Sequence, residues 1–217
     1  TLPTALTVGF AGLIALLIAG SVAAFVLPRL SPGKWDDLGP RMTSWWVICL
    51  LVGGSLLLGW QVFTVLFTLI SFIALKEYLT LAPTRRDDRL VVLFAYVALL
   101  VSYSAIWIDN YAYFLVTIPV YIFLATAVLL TLSGRTDGFL ATAGIMQWGM
   151  VVCVFNLGHV AFLMRVPEAE VPQAGPAGLV FFLIFITQLN DVTQYVWGKL
   201  LGRHKISPHI SPNKTWE

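Results

Sequence analysis

Apolar runs long enough to cross a bilayer recur along almost the whole of this chain, and they leave little room for any other architecture. About 18 consecutive apolar residues mark a spanning helix, because lipid offers the backbone no hydrogen-bond partners and a helix supplies its own. Seven spans are read from the sequence, at about 4–27, 43–58, 60–81, 90–108, 111–132, 138–163 and 178–200. The second and third form one continuous run. It is divided near Gly59, because a single helix of that length would far exceed the ~20 residues that a bilayer requires. A composition of 59% hydrophobic and 11% charged residues lies outside the soluble globular range. The expected fold is therefore all-α, a polytopic membrane helix bundle with about seven transmembrane helices.

The first span does not read as a signal peptide. No basic residue precedes it, and its apolar run exceeds the ~7–15 residues of a cleaved h-region. Cys49 and Cys153 lie singly in different spans, without the paired spacing of a disulfide or zinc site. Basic residues give an orientation. Arg29, Lys34, Arg41, Lys76, Arg85, Arg86, Arg89, Arg135, Lys199, Arg203, Lys205 and Lys214 fall toward one side, and only Arg165 falls on the other. The positive-inside rule makes the first side cytoplasmic, with the Pro/Gly-rich Val166–Gly178 loop outside. The cations are spread over short loops, which suits topology and anionic lipid rather than nucleic acid. Pro119 is expected to kink the fifth span, and Gly53, Gly54, Gly144 and Gly149 to allow close helix contact. Lys76-Glu77 reads as a snorkelling pair, His159 as a packing residue, and Gln147 as a donor between helices.

The last span carries a polar stripe. Thr187, Asp191, Gln194 and Gly198 fall within about 60° of one another on a helix, flanked by Asn190 and Tyr195. Asp191 lies roughly 12 Å along the axis from Lys199, below the surface yet within reach of water. An ionised Asp at mid-bilayer costs about 2.5–3.5 kcal/mol on insertion scales, so it is expected to face the bundle interior or a hydrated cavity. Two readings stay open: Asp191 ligates Mg²⁺ with Asn190 and Gln194 beside it, or it is a polar clamp paired with another span.

Beyond the span, Arg203, Lys205 and Lys214 supply cations, and Ser207 and Ser211 supply hydroxyls. Pro208 and Pro212 stiffen the segment and keep the serines before them extended. Ser211-Pro212 also reads as an N-cap followed by Pro at the first helical position, so a helix is expected to start there. Such a segment suits phosphate. The alternative is a basic juxtamembrane strip touching anionic lipid, with His204 and His209 at the interface.

The pattern Asp191-x-x-x-Tyr195-x-x-Gly198-Lys199-x-x-Gly202-x-x-Lys205-x-Ser207-Pro208-x-x-Ser211-Pro212-x-Lys214-Thr215-Trp216-Glu217 resembles the phosphatidate cytidylyltransferase (CDP-diacylglycerol synthase) family. Ser-Pro-x-Lys-Thr-Trp-Glu is its most specific part. This chain has Asp191-Val192-Thr193-Gln194-Tyr195 where members commonly read Asp-Thr-Gly-Ala-Tyr, so Gln194 takes no role from the resemblance. The family's Lys-Asp and Asp-Arg-x-Asp carboxylates lie downstream of Lys-Thr-Trp-Glu. The expectation is therefore a fragment, or a chain completed by a second chain or segment, with an incomplete metal site and no activity alone. Residues 1–177 are read as scaffold, and 178–217 as the start of the catalytic region.

The resemblance implies Mg²⁺-dependent formation of CDP-diacylglycerol and pyrophosphate from CTP and phosphatidate. Asp191 would act in metal binding and catalysis, together with Lys205 and Lys214. Tyr195, Arg203, Ser207, Ser211 and Thr215 would contact substrate, and the polar stripe itself adds Asn190 and Gln194 as substrate-binding neighbours of Asp191. Expected partners are CTP, phosphatidate, the lipid bilayer and a second copy in a homodimer, in a bacterial cytoplasmic membrane with the site facing the cytoplasm. A polyprenol or phytol kinase and a non-enzymatic transporter are the rival readings; the absence of evident inverted repeats speaks mildly against the transporter.

Overall fold

In the computed structural model, residues 3–82, 89–132, 134, 137–207, 209 and 211–216 are described. Arg85, Arg86, Arg135, Pro208 and Glu217, which entered the charge count or the tail motif, lie outside the described residues.

Seven helices are long and apolar enough to span a membrane: α1 (Thr4–Leu30), α2 (Leu38–Leu58), α3 (Trp60–Leu81), α4 (Arg89–Trp107), α5 (Tyr111–Leu132), α6 (Phe139–Arg165) and α7 (Gly175–Leu201). A two-stranded antiparallel ribbon follows, β1 (Lys205–Ser207) and β2 (Ser211–Thr215). The all-α class holds, with this ribbon as an addition. The division at Gly59 also holds: its φ of +109° is a conformation that side chains disfavour, and it interrupts the apolar run between α2 and α3.

The chain divides into two compact units. One comprises residues 1–53 and 171–217, and the other 54–170. The second unit holds α3 to α6. Its core stacks Phe63 on Phe67 with ring centres 4.4 Å apart, and fully buries Ala105, Ile106, Phe114, Ile118 and Val154. Several polar groups there are satisfied locally, as lipid requires, although the buried hydroxyls of Thr64 and Ser102 have no partner among the described residues. The Tyr103 hydroxyl donates to the Phe67 carbonyl at 3.1 Å and lies 2.6 Å from Ser71 Oγ.

Pro119 has no N–H to give, and around it α5 loosens into a π-helical stretch, Thr117–Ile122. Gln147 Nε2 donates to the carbonyl of Ile118 in this stretch at 3.4 Å, the interhelical donor expected of it. His159 packs among Tyr111, Phe114 and Phe155, and its Nδ1 meets the Phe155 carbonyl. Gly149 permits a close approach, since a Cβ there would lie 2.5 Å from Tyr78 Cε1. Gly54 and Gly144, expected to act likewise, have open space. Lys76 and Glu77 are both exposed, and among the described residues no ion pair joins them. Arg165 makes a two-pronged pair with Asp109 (3.2 and 2.9 Å) and lies 4.1 Å over the Trp60 ring.

The first unit packs α1 against α2 and α7. Its core includes Leu6, Leu17, Trp35, Leu38, Met42 and Val180, with Phe10 against Phe181 at 4.9 Å. Only small fractions of the most apolar stretches of α1 and α7 are covered by the chain itself.

Candidate functional site

Helix α7 places its residues on faces with different surroundings. Thr187, Asn190, Asp191 and Gln194 are all exposed. Thr187 returns its hydroxyl to the Leu183 carbonyl at 2.8 Å, whereas no described residue pairs with Asp191. Of the two surroundings expected for Asp191, the described residues do not supply the bundle interior, and its exposure is compatible with a hydrated cavity. The physical reason is that α7 packs on α1 and on β2, which leaves this stripe uncovered. Among the described residues, none from another span forms an ion pair with Asp191.

Tyr195 and Lys199, one and two turns further on, are engaged instead. The Tyr195 hydroxyl donates to Asp37 Oδ1 at 2.9 Å. The Lys199 ammonium donates to the same oxygen at 3.2 Å and to the Lys34 carbonyl at 2.7 Å. Arg41 Nε donates to Asp37 Oδ2 at 3.1 Å, and its guanidinium lies 4.6 Å over the Tyr195 ring. Trp35, buried, meets Tyr195 edge-on at 6.1 Å. Partial burial alone would raise the Asp37 carboxyl, but hydrogen bonds from Tyr195, Lys199 and Arg41, with the Lys199 charge, outweigh it and hold the group down at about 2.

This clamp joins the loop after α1 to the end of α7. Neither Asp37 nor Arg41 was a candidate on sequence. The available signal was Asp36-Asp37, a pair of acids in a loop otherwise read only for its cations.

The segment after α7 corrects another expectation: Ser211–Thr215 is a strand and no helix starts at Ser211. Proline disfavours the helical conformation in the residue before it, so Ser207 and Ser211 are both biased to extended backbone. Pairing with β1 then satisfies the backbone groups that an extended segment leaves open. Lys205 opposes Thr215 and Ser207 opposes Ser211, with an irregularity between, and Trp216 N–H extends the pairing to the His204 carbonyl at 3.0 Å. Directly opposed residues of an antiparallel pair have Cβ atoms about 4.5–5.5 Å apart, so the two serine hydroxyls come within reach of one phosphate group.

The ribbon rests on glycines. A Cβ at Gly202 would collide with the Gly198 carbonyl and lie 2.8 Å from Thr215 Oγ1. The Thr215 hydroxyl is buried there, without a hydrogen-bond partner. Lys205 and Lys214 are exposed and no described carboxylate pairs with them; Arg203 is exposed as well. Trp216 is 75% exposed.

The ribbon can gather anionic oxygens with two ammonium groups that no described carboxylate pairs and two cross-strand hydroxyls, whereas Asp191 lies roughly 15 Å back from the end of α7 and would meet phosphate only through a cation. Among the described residues no three His, Cys, Asp or Glu side chains cluster as a metal site. The donors present fit Mg²⁺ in the manner that ion favours, with one carboxylate and the remaining positions left to substrate phosphates and water.

Residues 40–217 match the profile of the cytidylyltransferase family. The chain is 38% identical to YnbB, an uncharacterized protein of Escherichia coli K12, over 93% of this chain and 65% of that protein. Shorter matches reach a phosphatidate cytidylyltransferase of Mycobacterium leprae (49% identity, 21% of this chain and 14% of that protein) and one of Staphylococcus epidermidis (47%, 18% and 15%). The chain thus spans less than two thirds of the length of each of these relatives. No solved structure matches it. With more than half of its length matched, this chain belongs to the cytidylyltransferase family.

Proposed function

We propose that the protein to which this chain belongs is a CTP-dependent transferase of the membrane surface, and that its reaction joins CTP to phosphatidate to give CDP-diacylglycerol and pyrophosphate. The observation that carries this reading is the family match across residues 40–217, which includes the ribbon where Ser207 and Ser211 oppose each other between two lysines that no described carboxylate pairs. Such a site needs no strong base. The phosphatidate phosphate is already anionic at neutral pH, and one of its oxygens attacks the α-phosphorus of CTP. A new P–O bond forms as the bond from the α-phosphorus to the bridging oxygen breaks, and pyrophosphate leaves with that electron pair.

The difficulty of this step is bringing two polyanions together, and cations placed beforehand relieve it. Lys205, Lys214 and Arg203 supply positive charge to the triphosphate and lipid phosphate, while Ser207 and Ser211 donate hydroxyl hydrogens to phosphate oxygens. Thr215, its hydroxyl unpartnered, orients the base of the ribbon against Gly198 and Gly202. Asp191, with Asn190 and Gln194 beside it, would hold Mg²⁺ when the nucleotide is bound, and that ion would neutralise charge on the phosphates. Tyr195 and Lys199 act through Asp37 by fixing the end of α7, not by touching substrate.

The test uses the full-length protein in phospholipid vesicles, supplied with CTP, Mg²⁺ and phosphatidate, with lipid product and pyrophosphate both measured. Asp191→Asn and Lys214→Ala are each expected to lower turnover by about 100-fold. Wild-type turnover in both overturns the site assignment. Release of CDP in place of pyrophosphate identifies a kinase and overturns the reaction.

A further inference from the structure

A cavity of about 170 Å³ opens among α1, α2 and α7, within the first unit. Its lining is almost wholly apolar. It runs from Leu13 to Gly20 on α1, from Met42 to Cys49 on α2, and from Phe185 to Val192 on α7. Each is a stretch of seven steps, or roughly 10 Å of helix, and all three border the one cavity.

The ends of the same helices carry charge. Arg29 closes α1, Lys34 follows it, Arg41 opens α2 and Lys199 closes α7, against Asp36 and Asp37. Asp37 is taken up by Arg41 and Lys199. Arg29 and Lys34 have no described carboxylate partner; Arg29 lies 3.5 Å over the Phe25 ring and Lys34 5.9 Å from the Trp35 ring. On α7 the cavity lies between roughly 10 and 21 Å from Lys199 along the axis. The hydrocarbon of one leaflet is about 15 Å deep. The cations therefore stand where a lipid phosphate lies, and the cavity stands where its acyl chain lies.

Such pairing of charge above an apolar slot is complementary to an anionic glycerophospholipid. The cavity is not the stripe proposed for catalysis, because the α7 residues that line it point about 110° around the helix from Asp191. We propose that this three-helix groove is a binding site for an anionic membrane phospholipid distinct from the reacting one: one acyl chain fills the slot, and its phosphate is met by Arg29 and Lys34.

The experiment is photo-labelling of the full-length protein in phosphatidylcholine vesicles, without CTP, by phosphatidylglycerol carrying a diazirine in its acyl chain, followed by peptide mapping. Labelling is expected in 42–49 and 185–192, about fivefold above that at Leu93 and Leu100, which are exposed on α4 and report ordinary boundary lipid. Leu189→Trp, at a lining position already 37% exposed, is expected to remove the excess, and Leu16→Trp fills the slot from α1 should the first variant not fold. Arg29→Gln with Lys34→Gln is expected to lower phosphatidylglycerol labelling to that of a phosphatidylcholine probe.

Labelling no greater than at α4, indifference to both tryptophan variants, or equal labelling by phosphatidylcholine in the wild type overturns the proposal. Labelling by a phosphatidate probe alone also overturns it, by making the groove part of the substrate site. Because no turnover is measured, failure here leaves the proposed reaction standing, and failure of the reaction leaves this site standing.

Discussion

Asp37 holds three donors on one carboxylate, and its chemistry fixes how the end of α7 responds to acid. Its pKa falls from an ordinary 3.8 to about 2 in the folded chain. A group depressed in this way stabilises the fold fully above its unfolded value, and the contribution is lost as pH falls through the folded value. The window is therefore between pH 4 and pH 2, and stability above it is indifferent to this group. Its side chain is 43% exposed, so screening limits the contribution to about 1 kcal/mol. Asp37→Asn is expected to lower the melting temperature of the detergent-solubilised protein at pH 7, with the gap to wild type narrowing as pH is taken from 4 toward 2. A gap that persists unchanged at the acid end would mean that the charge is not what holds the clamp. Tyr195→Phe removes one of the three donors and touches no substrate in the proposed reaction. It is expected to cost less than about tenfold in turnover while Asp191→Asn costs about 100-fold, and equal losses would place Tyr195 in the site.

Among elements, the ribbon is the one whose position the reaction depends on, and it is seated by the absence of side chains. Gly202→Ala introduces a Cβ that meets the Gly198 carbonyl and Thr215 Oγ1, so the last turn of α7 and β2 must move apart while the rest of α7 stays intact. The expected result is faster amide exchange across 205–216 with exchange in the middle of α7 unchanged, and loss of most turnover. Gly149→Ala makes the contrasting case. The clash with Tyr78 lies inside the α3–α6 unit and is expected to cost about 1–3 kcal/mol of stability without changing the affinity for CTP, checked by nucleotide titration of the folded fraction.

These two glycines also mark how far the sequence could be read. The helices were legible because hydropathy over a span is a sum that single residues cannot reverse, and the break at Gly59 followed from length. Gly149 could be nominated because small residues favour close helix contact, but Gly54 and Gly144 are equally small and meet open space. Which glycine is used depends on what stands opposite. The ribbon was misread for a related reason: Ser-Pro satisfies the rules for both a helix start and an extended strand, and only the partner strand decides. Asp37 escaped notice because its three donors come from α2 and from a helix some 160 positions later.

At the scale of the whole molecule, the reading rests on the tail and the preceding loop lying on opposite sides of a membrane. Gln173, exposed before α7, and His209, exposed between the strands of the ribbon, are separated by one 27-residue apolar helix. A helix of that length rises about 40 Å, more than the ~30 Å of hydrocarbon, so it can span with tilt to spare. The charge distribution adds the sign, because the ribbon side gathers Lys199, Arg203, Lys205 and Lys214, whereas the loop before α7 carries Glu168 and Glu170 with Arg165. In a background with Cys49→Ala and Cys153→Ala, His209→Cys is expected to react with an impermeant maleimide only in inside-out vesicles, and Gln173→Cys only in right-side-out vesicles. Reaction of both from one side would remove α7 as a span, and with it the placement of Asp191 inside the membrane. Exchange of the two sides would keep the span but put the lysines and serines away from the cytoplasm, where CTP is made available, and the proposed reaction could not run in a cell. The two failures are distinguishable in one experiment, which makes sidedness the measurement on which the rest of the functional reading depends.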